Sequence, residues 1–422
     1  MLKKCITVMT HVFIIIGFNI SYCYAICPLF DYMGFSAVFS LNKVVIISFL
    51  TFFFLIFGVN IINPFMSLVW WIFFYMFFVG ESIYYQYTTE GNFKILIGIS
   101  LLLLLLPLGS IGQIKLVPHR IKGDSLTLLV VLSILMFIPI FLASFKYINL
   151  KNLLFIDVYD TRAVFKANKV PIVGYLIVPL SRIFIPYIIV KSMEQKRYKY
   201  VVLGIGLILF IYLCGAVKSV FMGLLAVFLF YAGDYRFKQK IWTAMMAVVS
   251  WFGFIAYYFT ENNTIIDMFT RRVFFVPAYL NNLYVEYFTN NYTYYSHSPL
   301  GLGLSEDMLD GTPLSIFLGD AVMGKEINAN AGIITEGYVG FGMPGVIMIV
   351  LFIVLLFAYL NSLDIQPQFF GIIFVYIYLT NTAFLSVFLV THGLLVFILF
   401  AYFYLSKSAD GQEYSRKNFN SM

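Results

Sequence analysis

The chain has 422 residues, 61% of them hydrophobic and only 11% charged, with 47 Phe and 31 Tyr, whereas an ordinary soluble domain is about a quarter charged. This excludes a string of soluble modules and points to a protein that lives in lipid. The net charge of +7 does not describe a nucleic-acid surface, because the basic residues lie in short stretches between apolar runs and form no single patch.

The N-terminal MLKKCITVMTHVFIIIGF begins as a signal peptide does, but no small-residue cleavage site follows it, so it is expected to be a retained first helix. Apolar runs of about 20 residues, the length that crosses roughly 30 Å of hydrocarbon, recur along the chain and predict about twelve spans. They cover residues 6–27, 44–62, 64–80, 95–112, 125–145, 173–190, 200–216, 219–232, 241–260, 338–360, 370–388 and 391–406. The 219–232 span is short, and the turn at Lys218 before it reads as a break inside the membrane. The expected fold is therefore one all-α polytopic membrane domain over 1–422, with two long connections, 146–172 and 261–337. A connection as long as the second is uncommon in a compact helical protein and is usually functional.

Sidedness follows from the cations. With an even span count, Lys3 and Lys4, then Lys115, Arg120 and Lys122, then Lys191, Lys196, Arg197 and Lys199, then Arg236, Lys238 and Lys240, and finally Lys407, Arg416 and Lys417 all fall on one face. That face also carries Asp124, Glu194, Asp234, Asp364, Asp410 and Glu413 and keeps a clear positive excess. By the positive-inside rule it is the cytoplasmic face, which puts both termini in the cytoplasm and both long connections outside. Cys5, Cys23, Cys27 and Cys214 lie in or beside apolar segments without metal-ligand spacing to a histidine, so they read as small packing residues, and no metal or other cofactor is expected.

The outer connections carry cations where the topology rule depletes them. The first, FIDVYDTRAVFKANKVP, holds Asp157, Tyr159, Asp160, Arg162, Lys166 and Lys169; the second holds Arg271, Arg272, Glu286, His297, Glu306, Asp307, Asp310, Asp320, Lys325, Glu326 and Glu336. Arg182 sits in mid-span, where a charge costs about 2.5–3.5 kcal/mol on insertion scales. It and Lys218 therefore face an acidic partner, snorkel to the interface, or bind an anion. Guanidinium groups suit phosphate, because the planar fork meets two oxygens at once. Neighbouring helical residues point about 100° apart, so only one of Arg271 and Arg272 is expected to reach a given ligand; anchoring of the pair beside lipid headgroups is the alternative reading. In AYLNNLYVEYF the rings, Tyr284 among them, suit sugar faces, while Asn281, Asn282 and Glu286 suit sugar hydroxyls; an aromatic interface belt explains the same rings. In NANAGIITEGYVGFGMPG, Asn330 and Glu336 are the polar positions, and Gly337, Gly340, Gly342 and Gly345 permit a bend or close helix packing.

Five of these stretches occur in one order: VYDTR at 158–162, GAVKS at 215–219, RRVFFVPAYLNNLYVEYF at 271–288, YSHS at 295–298 and NANAGIITEGYVGFGMPGV at 328–346. Together they resemble the bacterial oligosaccharide repeat unit polymerases, the Wzy-type O-antigen and capsule polymerases. The resemblance implies a metal-independent, GT-C-like membrane glycosyltransferase of the inner membrane, with short helices in the large periplasmic loop. Undecaprenyl-pyrophosphate-linked oligosaccharide would be both donor and acceptor, with a flippase and a chain-length-determining co-polymerase as partners.

On that resemblance, Arg271 or Arg272, with Arg162, Arg182 and Lys218, would hold the donor pyrophosphate. His297, Asp160 and Glu286 would position or deprotonate the acceptor hydroxyl. An arginine and a glycine ten residues apart, found in the outer loops of some members, are not matched here: Arg162 meets Val173 with Gly174 one place late, and Arg271 and Arg272 meet Asn282 and Leu283. An O-antigen ligase shares the donor and architecture, and a lipid-linked oligosaccharide flippase would also use many spans and buried cations. Against the flippase, the halves of the chain show no internal repeat.

Overall fold

Backbone in hydrocarbon must satisfy its own hydrogen bonds. The computed structural model describes residues 2–89, 91–111, 116, 125–154, 156–168, 170–324 and 328–406. Among these residues every regular element is helical, apart from one isolated bridge between Ile365 and Ser406. Lys115, Arg120, Lys122, Asp124, Lys169, Lys325, Glu326, Lys407, Asp410, Glu413, Arg416 and Lys417, used above in the charge pattern, lie outside the described residues.

Nine helices among the described residues are long and apolar enough to cross a membrane. They are α1 (Leu2–Met33), α2 (Leu41–Gly58), α3 (Pro64–Tyr87), α4 (Phe93–Ser110), α5 (Leu126–Tyr147), α7 (Val173–Glu194), α8 (Tyr198–Gly215), α10 (Tyr235–Thr260) and α13 (Ile333–Ser362). Shorter helices complete the order: α6 (Val158–Ala167), α9 (Lys218–Leu229), α11 (Val276–Phe288) and α12 (Leu314–Met323). Two more, α14 (Pro367–Thr380) and α15 (Leu394–Leu405), are apolar. α9, α14 and α15 occupy the last three of the predicted spans not counted among the nine. At 10–17 residues they are shorter than the roughly 20 a bilayer asks of one straight helix. The chain is a membrane-embedded, all-α protein, and the 261–337 connection does contain short helices.

The chain divides into two compact units. One comprises Met1–Gln113, Tyr235–Asn361 and Ile377–Ser386; the other comprises Ile114–Asp234, Ser362–Tyr376 and Val387–Met422.

In the first unit α3 is the central helix, and its apolar stretch is wholly buried. Asn63 starts it by accepting a hydrogen bond from the Met66 amide at 3.0 Å, with Pro64 in the first turn. Its WWIFFYMFF run packs by ring contacts, and several of its polar edges are met, although Trp71 Nε1 is buried without a partner. Trp70 Nε1 donates to the Leu103 carbonyl at 2.8 Å, and the His11 ring stacks on Trp71 at 3.8 Å while Nδ1 meets the Tyr75 hydroxyl at 2.6 Å. By contrast α2 leaves Phe49, Phe52 and Phe53 exposed, the outward face that suits acyl chains. The glycine-rich start of α13 does bend, at Phe341 and Gly342. Gly342 has φ +65°, a conformation that glycine adopts without Cβ strain. Just beside it, a Cβ on Gly345 would overlap the Gly337 carbonyl, so two turns of backbone pack directly together.

In the second unit α7 contains Pro179, and directly after it the helix widens into a π turn over Leu180–Phe184. Proline removes a donor from the ladder, and such widened turns recur at functional positions. α8 ends at Gly215, Ala216 takes φ +48°, and α9 starts at Lys218. The predicted tight turn at Lys218 is therefore present.

Candidate functional site

In the first unit, residues scattered over more than 250 positions converge on α11. Glu81 is an acidic residue in the α3 run, 1% exposed. The predicted span ends at residue 80, but the helix continues to Tyr87, which carries this carboxylate into the interior. Two amides meet it there: Asn281 Nδ2 donates at 2.8 Å and Asn282 Nδ2 at 3.2 Å. Asn281 Oδ1 accepts from Thr335 Oγ1 at 2.5 Å, and Asn282 Oδ1 accepts from the Asn92 amide at 2.6 Å. A buried carboxylate is expensive unless its oxygens are occupied, and here neutral amides occupy them.

One residue beyond Thr335, Glu336 is completely buried. Its Oε2 accepts the Leu385 amide. Its Oε1 has no hydrogen-bond partner and faces His297 Nε2, likewise unpartnered, across 3.6 Å. His297 Nδ1 meets Thr293 Oγ1 at 3.0 Å. Because Thr293 Oγ1 donates to the Val339 carbonyl at 3.3 Å, it accepts from the imidazole, which assigns the proton to Nδ1. Nε2 and the carboxylate are then two acceptors facing each other, a geometry that closes when one further proton sits between them.

The other predicted residues of this unit divide by face. Tyr284 is buried, and its hydroxyl donates to the carbonyls of Ala329 at 2.8 Å and Leu314 at 3.3 Å. Burial, and then the nearby Glu336 charge, push its phenol far above the ordinary range. Tyr284 thus ties α11 to α12 and to the return into α13, with no hydroxyl left for a sugar. Glu286 and Asn330 are exposed. Lys94 Nζ donates to the Tyr338 hydroxyl at 2.6 Å.

Arg271 and Arg272 lie in the π-helical segment Ile266–Phe275 that leads into α11. Its i→i+5 repeat brings positions 271 and 272 over position 267 together. Both arginines therefore grip Asp267 instead of pointing to separate ligands. Arg271 Nε meets Oδ1 at 2.5 Å with Nη2 on the same oxygen, and Arg272 Nε meets Oδ2 at 3.0 Å. Arg271 turns inward over the Phe30 ring, 4.1 Å from its centroid, with Nη1 3.2 Å from Met33 Sδ. Arg272 keeps 40% of its side chain exposed. The trio carries a net positive charge, and Arg272 is its accessible end.

In the second unit, Arg162 Nη2 donates to the Ala216 carbonyl at 2.9 Å. Arg182, 5% exposed, donates from Nη2 to Ser219 Oγ at 3.2 Å. Both thus reach the GAVKS turn. Tyr159 and Lys218 lie on α6 and in the first turn of α9. Asp160 is exposed at a surface depression of about 440 Å³, whose walls include Lys146 and Thr161.

Sequence reasoning missed Glu81, Asp267, Lys94 and Thr335. Only Asp267 carried a local signal, an acid four residues before an arginine on a helix. Among the described residues no group of three or more metal-ligating side chains gathers. No protein-family model matches the chain, and neither a curated protein nor a solved structure matches it.

Proposed function

We propose that this chain is a membrane glycosyltransferase that joins undecaprenyl-pyrophosphate-linked oligosaccharide repeat units into O-antigen or capsular polysaccharide, at the periplasmic face of a bacterial inner membrane, with a GT-C-like arrangement of twelve spans. The observation that carries this reading is the convergence around α11 of RRVFFVPAYLNNLYVEYF, YSHS and NANAGIITEG. These stretches are separated in sequence, yet Asn281 meets Thr335 and His297 faces Glu336.

In the reaction, a hydroxyl of the incoming unit attacks the anomeric carbon of the growing glycan. The bond from that carbon to the pyrophosphate oxygen breaks, and lipid pyrophosphate leaves. The His297–Glu336 pair takes the hydroxyl proton, a role that fits its unclosed 3.6 Å gap. Arg272, held by Asp267, meets the charge that grows on the leaving group. Arg271 acts through Asp267, as the buried post that fixes the carboxylate. Neither role calls for a metal.

The test is reconstitution of the purified protein with lipid-linked repeat units alone. A ladder of longer glycans with release of lipid pyrophosphate supports polymerisation. No ladder from these units alone, with transfer once a lipid A core acceptor is added, would identify a ligase, and movement of units between leaflets without new linkages would identify a flippase; either result overturns the proposal.

A further inference from the structure

Arg182 is buried inside α7 with most of its hydrogen-bonding capacity unused. Nη2 reaches Ser219 Oγ at 3.2 Å, while Nε and Nη1 have no partner. No carboxylate pairs with it among the described residues. The groups within its electrostatic reach are Tyr376, whose hydroxyl donates to the Gly393 carbonyl at 3.4 Å, and His392, whose Nδ1 is also unpartnered. Neither supplies a negative charge. A guanidinium in a membrane span without counter-charge is costly, and each buried donor left empty adds to that cost.

What Arg182 points at is the start of a helix. Ser219 is the second residue of α9, a helix of 12 residues whose first turn no side chain caps, although the Val220 amide is already bonded to the Val217 carbonyl at 3.0 Å. The first amides of a helix have no intrahelical acceptor, and its N-terminus carries a partial positive charge. Nη2 meets Ser219 Oγ within the first turn, so a fork-shaped cation stands beside backbone donors, and the tetrahedral oxygens of phosphate fit both. Arg162 holds the preceding turn from behind by its bond to the Ala216 carbonyl, so α9 starts at a fixed place.

We infer that Arg182, Ser219 and the uncapped first turn of α9 form a binding site for one phosphate group carried by a membrane lipid. The site stands on its own geometry and holds whether or not the protein polymerises glycan.

The full-length protein in nanodiscs is titrated with polyprenyl diphosphate, with phosphatidylglycerol and with inorganic pyrophosphate, and binding is read by native mass spectrometry and by the melting temperature. Binding of at least one probe is expected. Preference for polyprenyl diphosphate identifies the carrier lipid, and preference for phosphatidylglycerol identifies a bulk headgroup; both support the site, whereas binding of inorganic pyrophosphate alone overturns its assignment to a lipid. Arg182→Gln should weaken binding about tenfold or more. Arg182→Lys, which keeps the charge but loses the fork, should weaken it by a smaller factor. Ser219→Ala gives a second readout that leaves the arginine in place, and it should also weaken binding. No binding of any probe by the wild type overturns the inference. So does unchanged affinity in Arg182→Lys and Ser219→Ala, even if Arg182→Gln fails to fold.

Discussion

Two arginines are buried to nearly the same degree, Arg271 at 6% and Arg182 at 5% exposure, yet their surroundings are opposite. Arg271 has a carboxylate, an aromatic face and a sulfur around it. Arg182 has one serine hydroxyl and two empty donors. Burial alone therefore does not say what a charge in a membrane protein is for. A guanidinium whose fork is filled by its own chain is part of the framework, whereas one left unfilled in a dry place is completed by a ligand. The same distinction separates Glu81, whose oxygens are both occupied by amides, from Glu336, one of whose oxygens is left facing His297.

The largest expected effect breaks the filled member of the comparison. Asp267→Ala leaves Arg271 buried with its charge unpaired and should destabilise the protein by about 3–5 kcal/mol, read as a fall in melting temperature. The same loss should not be obtainable at Arg182 by removing an acid, since none pairs with it among the described residues. Glu81→Ala strands two buried amides and should cost roughly 2–4 kcal/mol. Glu81→Gln, which keeps a carbonyl for one of them, should recover part of it.

Tyr284→Phe removes one hydroxyl that serves two backbone carbonyls and should cost about 1 kcal/mol, without altering glycan chain length at matched protein level. Arg272→Ala sharpens the contrast from the other side. Because its side chain is 40% exposed, the stability change should stay below about 1 kcal/mol, while the polymerisation rate should fall about tenfold or more. An equal loss of stability in Arg272→Ala and Asp267→Ala would dissolve the distinction between the framework arginine and the ligand arginine.

Much of the architecture was legible in the hydropathy of the chain, because a helix in lipid needs a long apolar run and little else. The nine long helices fall on predicted spans, and the Lys218 turn and the bend near Gly342 were visible as short polar or glycine-rich interruptions. The end of α3 was not, because GESIYYQY reads as the start of a loop until Asn281 and Asn282 are known to wait for Glu81. Arg162, Arg182, Arg271, Arg272 and His297 were conspicuous as charges and polar groups out of place. Their partners were not conspicuous, since pairing is a property of the fold: Glu336 lies 39 positions from His297. The π geometry that lets Asp267 hold two adjacent arginines also reversed the expectation that they would point apart. Asn281, Asn282 and Tyr284, read as a sugar-facing wall, are occupied by the protein itself in this structure.

The most direct measurement is the stoichiometry of the reconstituted reaction. With purified protein and lipid-linked repeat units of known size, one lipid pyrophosphate should be released for each new glycosidic linkage, as the glycan lengthens by whole units. Release without lengthening, or no release under conditions where the protein is folded and embedded, would contradict the account.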